Sequence, residues 1–242
     1  MISRRTKRAK IYQSRTHILV TLLFIVVPFL FLLVFSRLAH ITTGKLFSDL
    51  FISAGRLAAA YGLAAIIGWL SAVLFYHGKR AVIALPIFDV LQSFPTFAAL
   101  PMAVFLWGHS NFVVIFFLII TVIWPIFFSI ISSLKLIKRD WQEVAEIAGL
   151  SGFNYLKIFL LPITMPGLIT GSIIGLGEGW EALVATEIIT GVKSGLGGFF
   201  ETFSRNIPIT ALGIFGFLIF IFSVNKLIWL PLLEWSHHKM EE

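Results

Sequence analysis

An all-α fold, a polytopic transmembrane helical bundle of about six spans with a helix-turn-helix loop on the cytoplasmic side, is predicted by three observations. The 242 residues are 58% hydrophobic with a mean hydropathy of +0.94, far above the roughly 45 to 50% apolar share of soluble domains. The apolar runs approach the ~20 residues needed to cross a bilayer and are separated by short polar gaps. Lys and Arg gather at the ends of these runs on one side, as the positive-inside bias requires.

The first span is expected at 18–36, behind the basic residues Arg4, Arg5, Lys7, Arg8, Lys10 and Arg15. A secretory signal begins similarly. This apolar run exceeds the about 7 to 15 residues of a signal core, however, and Arg37-Leu38-Ala39 is a poor cleavage site, so an uncleaved span is predicted. The other spans fall at 55–76, 81–106, 112–134, 167–190 and 209–225, all helical because lipid offers backbone groups no other partner. The chain then divides into a basic tail at 1–17, a first span and external segment at 18–54, a membrane domain at 55–235 with a long loop at 137–163, and a tail at 236–242. Of the 19 Lys and Arg, only Arg37, Lys45, Arg56, Lys193 and Arg205 fall away from the side holding the N-terminus, which places both termini and the long loop in the cytoplasm.

A charge of +7 and a pI near 9.9 would suit nucleic acid, but the basic residues do not cluster on one soluble face, and no nucleic-acid partner is expected. The absence of cysteine removes disulfide and thiolate-metal chemistry. The six histidines lack metal-type spacing, and neither a phosphate-binding Gly-x-x-x-x-Gly-Lys-Ser/Thr loop nor a Gly-x-Ser-x-Gly elbow occurs. An intramembrane enzyme is therefore disfavoured, with no catalytic residue, metal or cofactor expected.

Within the third span Pro86, Pro95 and Pro101 each remove a backbone donor, and Pro125 does so in the fourth. These are either kinks repaired by neighbouring helices or, around Gln92-Ser93-Phe94-Pro95-Thr96, a broken helix lining a path. Gly167, Gly171, Gly175 and Gly179 recur every four residues in the fifth span and make a ridge for close helix packing. Asp89, Glu178, Glu181 and Glu187 lie in apolar surroundings, where a charge costs at least about 2.5 to 3.5 kcal/mol. Glu178 and Glu181 share a face, as do Trp180 and Glu187. They either line a polar pathway together with Phe94 and Pro95 or pair with Arg56, Lys193 or Arg205 to fasten helices, with fastening the stronger reading for Glu187.

In the long loop, Asp140-Trp141-Gln142-Glu143 fits a capping box, with Asp140 as N-cap and Glu143 at the third helical position. The helix should run to about Ala148 and close on Gly149 in the left-handed conformation, after which Ser151 caps a second short helix through Phe159. Val144, Ile147 and Ala148 form one face of the first helix, and Phe153, Leu156, Leu160 and Leu161 one face of the second. Pattern alone also allows an interfacial pair resting on headgroups.

Glu143-Val144-Ala145, then Gly149, then Phe159-Leu160-Leu161-Pro162 resembles the EAA signature of bacterial ABC importer permeases, with Glu143, Ala145, Gly149, Leu161 and Pro162 matching. The stretches Gln92 to Pro101 with Leu106-Trp107-Gly108, and Trp180 to Glu187 with Gly195-Leu196-Gly197, are similar to the branch importing nitrate, sulfonates, taurine and related small solutes. The likeness covers roughly 56–235.

This resemblance implies a permease subunit in the bacterial inner membrane, translocating a solute delivered by an extracytoplasmic solute-binding protein. It implies two ABC ATPase subunits, docked on Asp140, Glu143, Ala145, Gly149, Leu161 and Pro162, and a second permease subunit in a homodimer. Glu178 and Glu181 depart from the branch, where this stretch is less acidic, so a cationic or neutral solute stays open. The competing class is a proton-coupled secondary transporter using the intramembrane carboxylates as relays, although no inverted repeat is visible.

Overall fold

A computed structural model describes residues 22–40, 42–229 and 231–233, and among them every regular element is helical. The basic tail at 1–17, the start of the first predicted span and the tail at 236–242 lie outside these residues. The chain forms two compact units.

One unit joins residues up to Phe47 with Phe203–Pro231. It contains α1 (Leu22–Leu38), the start of α2 (Thr43–Phe75) and α10 (Ile207–Val224), which ends in a π-helical turn over Asn225–Trp229. Phenylalanines join α1 to α10: Phe24 meets Phe222 with ring centroids 5.3 Å apart, and Phe31 meets Phe215 at 6.0 Å. Offset edge contacts of this kind add to plain apolar burial.

The second unit, chiefly Ser48–Thr202, carries the rest. Helix α2 runs 33 residues without a proline, so it begins 12 residues ahead of the span predicted at 55–76. Helices α3 (Gly78–Gln92) and α4 (Thr96–Trp107) replace the predicted third span and meet at an 80° bend. Pro95 has no N–H to continue α3, and its ring pushes Phe94 away from helical geometry, so the chain breaks here. Pro86 and Pro101, by contrast, stay inside their helices.

Helix α5 (Asn111–Lys135) is followed by α6 (Arg139–Ile147) and by α7 (Gly152–Asn154). The second loop helix does not end at Phe159 as predicted. A π-helical turn at Tyr155–Leu160 joins α7 to α8 (Leu161–Thr190), making one helix of 39 residues. The wide turn immediately precedes Pro162, where an α-helical ladder would lose a donor. Helix α9 (Leu196–Phe203) completes the unit.

Among the described residues four helices are long and apolar enough to cross a membrane, five if the bent α3–α4 pair counts as one, and α1 adds a shorter apolar helix. The molecule is thus an all-α polytopic bundle. Among the described residues the largest helix interface joins α5 and α8, built on the glycine ridge. A Cβ at Gly171 would lie 2.6 Å from Ile126 Cα and 2.8 Å from the Pro125 carbonyl oxygen, so the two backbones touch directly.

Because backbone rather than a flexible side chain fills that space, Gly171→Leu should force the helices apart and cost more than the about 1 to 3 kcal/mol of ordinary overpacking. The recovery of monodisperse protein in detergent should fall at least tenfold. Wild-type recovery would show that the interface can yield.

Helix α2 lies antiparallel to α8 and is tied to it by side-chain bonds at three levels. Trp69 Nε1 donates to Thr164 Oγ1 at 2.9 Å, Tyr61 and Ser172 share a hydrogen bond of 2.9 Å, and Arg56 meets Glu187. In an apolar medium such bonds leave few polar groups orphaned and fix the register of the two helices.

Candidate functional site

Three features bear on function: an exposed elbow, a cavity and a buried ionic cluster, each within the second unit.

The elbow comprises α6, the turn after it and α7. Lys138, not Asp140, is the N-cap of α6, and no side chain caps it; Asp140 occupies the first turn, where its charge suits the helix dipole. Glu143 is correspondingly not a capping residue. It lies exposed and accepts a hydrogen bond from Arg139 Nε at 3.1 Å.

Gly149 does close the helix, at φ +68°. Its N–H donates to the Glu146 carbonyl at 2.9 Å and that of Leu150 to the Ala145 carbonyl at 3.0 Å, the paired bonds of a Schellman turn. Ser151 begins the next helix without a side-chain cap bond.

Ala145 and Leu160 turn inward, whereas Val144 is 64% exposed, Ile147 87% and Phe153 74%. The predicted second apolar face is therefore split, with Phe153 outside and Leu160 inside. The helices on either side of the Gly149 turn thus hold large apolar side chains outward. Of the remaining motif residues, Leu161 is partly exposed and Pro162 sits in the first turn of α8.

A cavity of about 780 Å³ opens where the α3–α4 bend faces α5 and α8. Gln92, Phe94, Pro95, Thr96, Phe97 and Ala98 line it from the bend, Thr121, Trp124, Pro125, Phe128 and Ser129 from α5, and Ile174 and Glu178 from α8. The structure thus brings Phe94, Pro95 and Glu178 together. Trp180 is buried elsewhere, Glu181 lies exposed on α8 outside this lining, and Glu187 is inaccessible. Asp89 faces outward and accepts from Gln92 Nε2 at 2.6 Å. Among the described residues neither Glu178 nor Glu181 has a cationic partner, so the predicted alternative of pairing with Arg56, Lys193 or Arg205 does not hold for them.

For Glu187 pairing does hold. Its carboxylate is fully buried and meets Arg56 Nη1 at 2.5 Å. Ser53 Oγ lies 2.8 and 2.9 Å from its two oxygens, and the Gly197 N–H donates to Oε2 at 2.8 Å. All five guanidinium donors of Arg56 are used: the other bonds go to Asn111 Oδ1 at 3.0 and 2.7 Å, to the Ser194 carbonyl at 2.8 Å and to Ser194 Oγ at 2.9 Å. Asp49 Oδ1 accepts from the Gly195 N–H at 3.1 Å, and Ser53 Oγ from the Leu196 N–H at 2.8 Å. The cluster ties the turn after α8 to α2 and α5.

Asp49, Ser53, Asn111 and Ser194 were not foreseen as partners. The signal for the first two was present: Asp49, Ser53 and Arg56 recur at helical spacing, placing three polar groups on one face of α2.

Residues 64–230 match the model for the binding-protein-dependent transport system inner membrane component. The chain is 38% identical over 161 residues to the nitrate import permease protein NrtB of Leptolyngbya laminosa, covering 66% of this chain and 57% of that one. It is 34% identical over 154 residues to the Synechocystis protein of the same name, covering 63% and 55%, and 29% identical over 163 residues to the bicarbonate transport system permease protein CmpB of Synechococcus elongatus, covering 66% and 59%. The chain thus aligns with under two thirds of the length of these relatives. Its helical membrane architecture and this match over most of its length agree: the chain belongs to the family of inner membrane components of binding-protein-dependent transport systems.

Proposed function

We propose that this chain is the membrane-spanning permease subunit of an ATP-driven importer. It translocates a small solute delivered by an extracytoplasmic binding protein and works with two ATPase subunits and a second copy of itself. Both termini and the elbow face the cytoplasm, as the distribution of Lys and Arg supports.

The observation that carries this reading is the continuity of the helix from Gly152 to Thr190. One end presents Phe153 at the exposed elbow, which also carries Ile147, and Glu178 lines the cavity further along. At about 1.5 Å per residue, roughly 35 to 40 Å of helix separates Phe153 from Glu178. A push on the elbow by ATPases closing on nucleotide therefore reaches the cavity wall as rigid-body motion of one element.

Family membership supports the division of labour, since this chain carries no phosphate-binding loop and the energy must enter from a partner. Two carboxylates on the uncovered face of a membrane helix also support a pathway, because neither can rest against hydrocarbon cheaply. The face therefore belongs to water or to a second copy.

Gly149→Val tests the elbow. No atom lies within 4 Å of a Cβ there, so the effect comes from the left-handed backbone alone, about 1 to 2 kcal/mol. Recovery of the ATPase with the permease should fall about five- to thirtyfold while membrane insertion is unchanged. Normal recovery and uptake would remove the docking role. A proton-coupled carrier would instead support uptake in liposomes from a pH gradient without ATP, and that result would replace the importer reading.

A further inference from the structure

The cavity between the α3–α4 bend, α5 and α8 has a composition that selects among solutes. Glu178 is the one ionisable side chain lining it, and no cation among the described residues neutralises it. Four aromatic rings, of Phe94, Phe97, Trp124 and Phe128, share the wall with the uncharged polar groups of Gln92, Thr96, Thr121 and Ser129. Trp124 Nε1 is buried without a hydrogen-bond partner among the described residues, leaving an unused donor at this wall. Behind Gln92 stands a further carboxylate, Asp89, bonded to its side-chain amide. Glu181 adds a third on the exposed face of α8, one turn from Glu178.

A small anion crossing here would exchange its hydration for a negative, aromatic wall. It would gain no Lys or Arg contact, meet the electron-rich ring faces and be repelled by Glu178 at reduced dielectric. A cation experiences the same groups with the opposite sign: attraction to the carboxylate, and to the ring faces through the quadrupole. The polar side chains suit either class and do not decide between them.

We propose that the solute handled by this cavity is an organic cation, a protonated or quaternary nitrogen on a small, ring-bearing or otherwise apolar body, in contrast to the nitrate and bicarbonate named for its relatives. This rests on the permease reading above. The relatives' names record anions, whereas the wall of this cavity carries no cationic side chain to neutralise one.

The chain has no cysteine, so one introduced thiol is the sole target for thiol reagents. Thr121→Cys, or Ser129→Cys where the first variant is not monodisperse, would be placed in the full chain in nanodiscs. It would be modified with a cationic (trimethylammonium-ethyl) and an anionic (sulfonato-ethyl) methanethiosulfonate, each rate divided by that of a free thiol in solution. The cationic reagent should be favoured at least tenfold, and Glu178→Gln should reduce that preference to within about threefold of unity. Benzylammonium should slow modification where benzoate at the same concentration does not.

Equal rates, preference for the anion, protection by benzoate, or a ratio unmoved by Glu178→Gln would each overturn the cation assignment while leaving the pathway intact. Failure of both thiol positions to react with either reagent or with neutral N-ethylmaleimide would overturn the pathway itself and the cation assignment with it.

Discussion

Glu187→Ala is expected to destabilise the protein by about 3 to 5 kcal/mol, the cost of breaking a buried ion pair from one side. The magnitude follows from what remains. Arg56 is only 6% exposed, so removing the carboxylate leaves a buried guanidinium without its counter-charge. The Gly197 N–H and Ser53 Oγ lose their acceptor as well. Unfolding in mixed micelles, followed by tryptophan fluorescence, reads the loss directly.

Glu187→Gln preserves the shape and some hydrogen bonding, so its cost should fall below that of alanine but stay well above 1 kcal/mol. Arg56→Ala alone strands Glu187, Asn111 and Ser194. The double variant should cost less than the sum of the singles, with a coupling of about 1 to 3 kcal/mol. A loss under 1 kcal/mol for Glu187→Ala would mean that water enters the cluster and that it does not fasten the turn at residues 191–197 to α2.

The same cluster shows where the fold was readable from the residues and where it was not. The long apolar runs marked the membrane helices, because lipid forces an apolar stretch of that length into a helix whatever its neighbours do. The glycine spacing in α8 identified a packing ridge, since close approach of two backbones requires small residues in that pattern. Gly149 was legible as a helix stop because the left-handed conformation restricts the choice of residue.

Interactions between distant segments were harder to read. The second span was expected to begin only at 55, leaving the polar Asp49 and Ser53 outside it although they share a face of α2 with Arg56. Their partners Gly195, Leu196 and Glu187 lie more than 130 residues away in sequence, and local pattern cannot see them. The continuity of α7 with α8 was hidden by Pro162 and Pro166, which normally signal a break, yet the helix runs through both behind a π-helical turn at Tyr155–Leu160. Phe94, Pro95 and Glu178, grouped by polarity and proline placement, line one cavity. Trp180 and Glu187 share the apolar-span setting of Glu178, and only packing separates a lining residue from a buried one.

Ile147→Asp combined with Phe153→Asp should abolish recovery of the ATPase with this chain while leaving it folded in the membrane. Both side chains stand largely in solvent, so an aspartate at either position creates no cavity and buries no charge in the free permease. If the ATPase groove covers them, each aspartate must be desolvated without a partner, and apolar anchors of this kind cost about 2 kcal/mol or more when lost. Two such losses, even if not fully additive, should weaken the complex by at least about a hundredfold, beyond the reach of Gly149→Val, which disturbs the backbone without touching the contact. Affinity purification of the tagged permease would read the loss as missing ATPase, and uptake should vanish with it. Lys157→Ala, on the exposed side of the adjoining turn, controls for surface change alone. If the aspartate pair instead leaves the complex intact but lowers the amount of inserted protein, the elbow rests on lipid headgroups, and work from ATP hydrolysis must enter the helix from Gly152 to Thr190 elsewhere.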